Sequence, residues 1–295
     1  LHGRPRPRYG VYAPICSRNG VAFFGRDSEA TLPVWSAKDG YPGDPDYREF
    51  HRDLGWDLPL EQLAPLGLSE PRPLGLKLHR VTDHSAPLDQ KQPYHPSMAA
   101  ERIRHHASHY LKGRRRQLDQ LSSGMTISPL LVAPFDAELF GHWWFEGPSF
   151  LAELFRQGPS NGVPFTRLRD VLDGSQQLQL CDPCPSSWGQ GGYHNYWLND
   201  SNAWVVPEWE RAGEAMVQRC SRGVAREADL QLLSQAAREL LLAQSSDWSF
   251  ILRAGTTTGL ARERIERHLK RFWMLMAAID GSGDLPEGWL EEVQA

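Results

Sequence analysis

The sequence predicts an α/β region followed by an all-helical one, on three observations. Short apolar runs alternate with helix-like stretches through residues 1–205. From Glu208 onward the composition turns to Ala, Leu, Glu, Arg and Gln, with leucines at helical spacing. With 295 residues, 40% hydrophobic and 23% charged, the chain can build one large core or two small ones. Strand and helix in alternation favour a parallel α/β architecture, so the expected domains are residues 1–205 and 206–295.

Taken in order, residues 1–9 (LHGRPRPRY) show neither a helix start nor a strand pattern, and the first residue is Leu1 rather than Met. They read as an interior linker, so the chain is expected to be the C-terminal piece of a longer polypeptide. Residues 9–24 alternate apolar positions around Asn19 and Gly20, the pattern of a short hairpin. Residues 25–47 contain Trp35, Gly40, Pro42, Gly43, Asp44 and Pro45, a density of breakers that predicts a long surface loop; long ordered loops are usually functional. Residues 74–82 predict a strand, 87–96 an irregular connector, and 97–121 a helix with Met98, Ile103, Tyr110 and Leu111 facing the core. The basic run Arg114, Arg115, Arg116 is expected to end that helix on its solvated side, where cations suit the C-terminal dipole. A strand at 127–134, a helix around 150–155 and a short strand at 178–180 follow. Three helices are then predicted, at 208–219, 226–251 and 260–279, with Leu230, Leu233, Leu240 and Leu241 marking a buried face.

Charge and composition exclude several function classes. A net charge of −4 and a pI near 6.3 give no attraction to nucleic acid or to anionic membranes. No apolar run approaches the roughly twenty residues that span a bilayer, and the first residues lack the zones of a signal peptide, so a cytoplasmic protein is expected. The four cysteines, Cys16, Cys181, Cys184 and Cys220, do not form a disulfide framework. Cys181 and Cys184 have C-x-x-C spacing without a second pair, and His105 and His109 lack a carboxylate that would complete a metal site. No metal and no cofactor are expected, and those histidines read as surface residues.

Chemistry concentrates in LLVAPFDAELFGHWWFEG, residues 130–147. An apolar run stops at Pro134 and gives way to Asp136 and Glu138, carboxylates at the end of an expected strand, where α/β folds place active-site groups. His142, Trp143 and Trp144 follow within a turn or two. An acid, an imidazole and flat apolar faces suit sugar, because a pyranose has a C–H face for an indole to cover and a rim of hydroxyls to bond. Asp136 as a plain helix cap remains the other reading. The second unusual segment is PSSWGQGGYHNYWLNDSNAWVVPEW, residues 185–209, whose aromatics sit among glycines and amides rather than on periodic elements. In QSSDW, residues 244–248, Asp247 and Trp248 interrupt an apolar stripe, which demands a partner or an opening.

These segments resemble glycoside hydrolase family 57, and its 1,4-α-glucan branching enzymes in particular. Residues 130–147 resemble the family's fourth signature region, and residues 34–55 (VWSAKDGYPGDPDYREFHRDLG) a stretch beside the active-site mouth. The resemblance covers nearly the whole chain, from Pro7 to about Met276. It implies the last strands of an incomplete (β/α)₇ barrel followed by a helical domain, and Asp136 as general acid/base. It further implies that Trp188 and Trp197 line the donor and acceptor groove, and that Asp247 and Trp248, matching the fifth signature region, brace the site or line a sugar subsite. A helix cap or an interhelical ion pair remains the alternative for these two. Trp35 and Tyr41 are candidates for glucan contact or anchors of their own loop, and His142 and Trp143 for contact with sugar or bracing of the acid.

The implied reaction is retaining transfer within an α-1,4-glucan such as amylose or glycogen, making α-1,6 branches. The chain departs from the family pattern at one point: the nucleophilic Glu belongs to a third signature region with no match here, and the His-x-His strand is also lacking. Glu138, two residues from Asp136, cannot flank the opposite face of a sugar ring. The missing N-terminal half of the same polypeptide is therefore the expected partner, and the chain alone is expected to be inactive. A 4-α-glucanotransferase, an α-amylase and a non-catalytic glucan-binding protein are the alternatives.

Overall fold

Asn19 and Gly20 turn the chain between β1 (Ile15–Cys16) and β2 (Ala22–Phe23), which pair antiparallel. Gly20 takes φ +85, a conformation that favours glycine, and Ser17 fastens the turn by accepting from Val21 N–H and donating to Val21 O. The hairpin is as expected. A strand β3 (Gln179–Leu180) lies parallel to β1, in the order β2-β1-β3. This computed structural model describes residues 6–174, 178–187, 190–223 and 226–294. Among them the architecture is mostly helical with this one small sheet, arranged as two units, residues 1–183 and 184–295.

Two expected strands do not form. Residues 127–134 run without a ladder, held by isolated bonds from Asp27 N–H to Val132 O (2.8 Å) and from Leu130 N–H to Tyr12 O (2.9 Å). Residues 74–82 make only single bridges, Arg48 with Arg80 and His79 with Pro93, and Thr82 turns out of them at φ +64. An apolar run gives extended backbone, but a strand exists only where a neighbour supplies consecutive bonds.

The expected loop at 25–47 contains a helix instead, α1 (Ser28–Trp35). Asp27 caps it, accepting from Glu29 N–H (3.3 Å) and Ala30 N–H (3.2 Å). Its second oxygen also takes the Gln117 amide (3.0 Å), and Pro33, inside the helix, forgoes an N–H bond to the preceding turn. One-turn helices α2 (Leu54–Asp57) and α3 (Leu60–Leu63) follow.

The long helix α4 (Pro96–Gly124) opens with proline, whose missing N–H is no loss in the first turn. It buries Ala99, Ile103, Ala107, Tyr110, Leu111, Arg114 and Gln117 along one face. Two expectations fail here. Met98 sits beside the stripe and is exposed, and Arg114 is buried and paired with Glu29 (2.8 Å) rather than ending a solvated face. Helix α5 (Gly147–Gln157) sends Phe150 and Leu154 into a core shared with Leu111, Tyr47 and Trp144, and α6 (Leu168–Asp173) is a short addition.

The second unit comprises α7 (Val206–Ser221), α8 (Glu227–Ala243), α9 (Ser246–Ala254), α10 (Thr258–Ile279) and α11 (Trp289–Gln294). The helix expected over 226–251 is two helices, because Ser245 turns extended at φ −54, ψ 129 between them. Leu233, Ala236, Leu240 and Ala243 of α8 face Ala261, Ile265, Leu269, Phe272 and Met276 of α10. Leu230 and Leu241, expected inside, are exposed because this stripe turns away from them. Glu239 is sealed in the same core, its Oε2 2.6 Å from His268 Nδ1 and its Oε1 accepting from the Gln235 amide (2.9 Å). Among the described residues no helix is long and apolar enough to cross a membrane.

Candidate functional site

Asp136 stands at the mouth of a short 3₁₀ turn, Ala137–Leu139, with extended backbone at φ −68, ψ 138. Its side chain caps nothing, and among the described residues its half-buried carboxylate has no hydrogen bond or ion pair. The chain after it doubles back on backbone bonds. Trp143 N–H reaches Glu138 O (3.0 Å), Trp144 N–H reaches Leu139 O (2.8 Å), and Gly141 N–H reaches Trp144 O (2.8 Å). Gly141 holds φ +100, where a side chain would be strained.

That reversal gives the paired indoles opposite surroundings. Trp144 is 2% exposed and packs on Phe150 (5.0 Å between ring centres) and Tyr47 (5.7 Å), so it is core and not a sugar platform. Trp143 is 57% exposed. Its ring lies 5.1 Å from His142, also exposed, and 4.8 Å from Phe50 at a tilt of 31°. Phe50 meets His142 edge-on at 5.8 Å, closing a three-ring group, and the Lys77 ammonium sits 5.5 Å from the Phe50 centre while paired with Asp53 (3.1 Å). Sequence reasoning missed Phe50. The signal available was its place in the 34–55 segment, on no periodic element that would bury it.

Behind this group lies a polar frame. Glu146 is buried, accepts from Arg48 N–H (3.0 Å), and has its carboxyl pKa raised by that burial. The Arg48 guanidinium covers the Phe145 ring at 3.5 Å. The Tyr47 hydroxyl is 2.8 Å from His106 Nδ1, and Asp44 approaches His106 Nε2 at 3.4 Å. Burial pushes His106 down to about 4 despite the opposing Asp44 charge. Tyr41 is half-buried, its hydroxyl 2.8 Å from His109 Nδ1, and burial raises it to about 12. Trp35 ends α1 and is exposed.

In the second unit, Trp188 lies outside the described residues. Trp197 is half-buried at the end of the turn His194–Tyr196, 6.2 Å from the Tyr196 ring, which itself stacks on Phe250 at 4.6 Å. Asn202, fully buried, pins this loop by donating to Tyr196 O (3.0 Å) and Ser249 O (3.1 Å) while accepting from Asn199 N–H (2.8 Å). Asp247 is exposed in the first turn of α9 and accepts from the Ser245 hydroxyl (2.8 Å). Trp248 donates from Nε1 to Leu242 O (2.7 Å) and packs against the helical core.

Chemically, the first unit offers an uncommitted carboxylate in one short loop with an exposed indole and an imidazole. Among the described residues no group of three or more His, Cys, Asp or Glu could hold a metal ion, and the four cysteines form no disulfide.

Comparison with known proteins shows what this arrangement resembles. Residues 208–295 match the family model described as 1,4-alpha-glucan branching enzyme, C-terminal. The chain is 33% identical over 262 residues to a 1,4-alpha-glucan branching enzyme of Thermococcus kodakarensis, covering 87% of this chain and 36% of that protein. Among solved structures it resembles the alpha-amylase AmyC from Thermotoga maritima, with TM-score 0.78 and 37% identity over 98% of this chain and 54% of that one. It also resembles the GH57-type branching enzyme from Pyrococcus horikoshii, with TM-score 0.78 and 32% identity over 97% and 51%. The chain thus spans between a third and just over half of these relatives' lengths. On these matches the chain is similar over most of its length to enzymes of glycoside hydrolase family 57, and residues 208–295 match the C-terminal domain of 1,4-alpha-glucan branching enzymes.

Proposed function

We propose that this chain supplies the acid/base side of a retaining branching site that acts on α-1,4-glucan, as part of a longer polypeptide. The observation that carries the reading is the Asp136 carboxylate, unpaired among the described residues, in the same loop as exposed Trp143 and His142, whose rings meet Phe50. In this reading a carboxylate from outside the chain attacks the anomeric carbon, while Asp136 gives its proton to the departing glycosidic oxygen. Asp136 then takes the proton of an acceptor's 6-hydroxyl as that oxygen displaces the enzyme carboxylate. The two carboxyl groups would stand about 5 to 5.5 Å apart. Trp143 covers a sugar face, His142 bonds its hydroxyls, and Trp35, Trp188, Trp197, Asp247 and Trp248 serve as further contacts or supports.

The same reading makes residues 1–205 the closing strands and helices of an incomplete (β/α)₇ barrel and residues 206–295 a helical domain. The parallel pairing of β1 with β3 supports the first, and the family match beginning at residue 208 supports the second.

Asp136→Asn in the full-length protein tests the assignment. Loss of an acid/base is expected to lower turnover about 10²- to 10⁴-fold, read by iodine staining and by counting α-1,6 linkages after debranching. Parent-level turnover would overturn it. The 295-residue chain alone is expected to make no new α-1,6 linkages, and branching by it would refute the placing of the nucleophile elsewhere. The likeness to AmyC favours hydrolysis as a second reading, distinguished by release of reducing ends without new branches.

A further inference from the structure

In the second unit, helix α7 and the residue that follows α8 border an open groove of about 870 Å³, within the size range of small-ligand sites. Along α7, Trp209, Glu210, Gly213, Glu214 and Gln218 line it at helical spacing, and Gln244 closes it from the end of α8. The polar side chains are uncommitted: among the described residues Glu210, Glu214, Gln218 and Gln244 make no side-chain hydrogen bond or ion pair, and all four are exposed. Gly213 is the second observation. Glycine in mid-helix is unfavourable relative to alanine, yet an added Cβ would meet nothing nearer than the Gln244 amide at 3.9 Å. The protein's own packing therefore does not require glycine there, and its effect is to keep the groove floor open.

We infer that this groove of the helical unit is a second glucan-binding site. The chemistry selects the ligand. A partly exposed indole offers an apolar face, two amides and two carboxylates offer donors and acceptors, and the two negative charges disfavour anions such as phosphates or nucleic acid. A neutral polyol chain satisfies all three conditions. Its role would be to hold polymer on the helical unit, raising the local concentration of chains. The inference rests on the glucan reading above for its choice of polymer.

The test uses the full-length protein with Gly213→Leu, which fills the groove, and separately with Gln218→Ala and Gln244→Ala combined, which touches only exposed side chains. Affinity electrophoresis in amylopectin gels reads polymer binding, and turnover of maltoheptaose reads the reacting site. Both variants are expected to weaken amylopectin retention about fivefold, the effect of one or two lost hydrogen-bonded contacts, with maltoheptaose turnover unchanged. Retention equal to the parent in both variants overturns the inference, as does a parent that is not retained at all. Groove-dependent retention by a parent that turns over no α-glucan would instead defeat the catalytic reading and leave the groove standing.

Discussion

Adjacent tryptophans here do different work. Trp144 is packed into the first core, so Trp144→Ala should destabilise by about 3 to 5 kcal/mol, measured by urea denaturation. Trp143→Ala should leave the midpoint nearly unmoved and weaken oligosaccharide binding instead, and a large loss of stability from it would count against the platform. Two titratable groups shifted by desolvation bear on pH. His106 has a folded pKa lowered to about 4 against an ordinary value of 6.5, so the unfolded chain binds more protons between those values. Stability should therefore fall as pH drops through that window, and His106→Gln should flatten this slope in urea midpoints. Glu146 has the opposite sign. Its folded pKa is raised by burial, so its contribution is greatest below the unfolded carboxyl value and is lost as pH rises through the folded one. The stability difference between Glu146→Gln and the parent should move in favour of glutamine from acid towards neutral pH, and no trend would mean the carboxyl is not desolvated in solution. Asp136 drew attention in the sequence because it is the first of two carboxylates after an apolar run, and the structure gives its side chain no capping bond. Phe50 did not, because nothing in one sequence says which distant ring will meet Trp143.

Among the elements, helices declared themselves by period and caps. The 97–121 expectation became α4 with modest extensions, since an apolar stripe at three and four residue spacing needs no distant partner to be recognised. Helix α1 was obscured by breakers, although Asp27 ahead of Glu29 was a readable cap. The break between α8 and α9 was also written in the sequence, as Ser245 followed by Asp247 in a first helical turn. Strands at 74–82 and 127–134 misled because extended propensity is local while pairing is not. Asn202 joins the Trp197 loop to α9 through two carbonyls. Asn202→Ala should strip those bonds in a buried place and cost about 1 to 3 kcal/mol, seen as a lower thermal midpoint and faster proteolysis within residues 193–205. An unchanged cleavage pattern would show that the loop is held otherwise.

For the whole molecule, each unit has its own apolar core, one around α4 and α5 and one around α8 and α10. The small extent of the sheet was not readable, since an apolar run looks the same whether or not a neighbouring strand pairs with it. Eleven indoles are distributed over the chain, so its ultraviolet emission is a sum over many environments. Position 143 contributes a water-relaxed, red-shifted component open to iodide collisions, whereas its neighbour at 144 emits from a dry interior beyond the quencher's reach. A saccharide settling on the outer ring would shield it from iodide, while Trp56, 56% exposed and outside the three-ring group, stays quenchable as an internal standard. Saccharide binding at Trp143 can thus be followed optically, without any label.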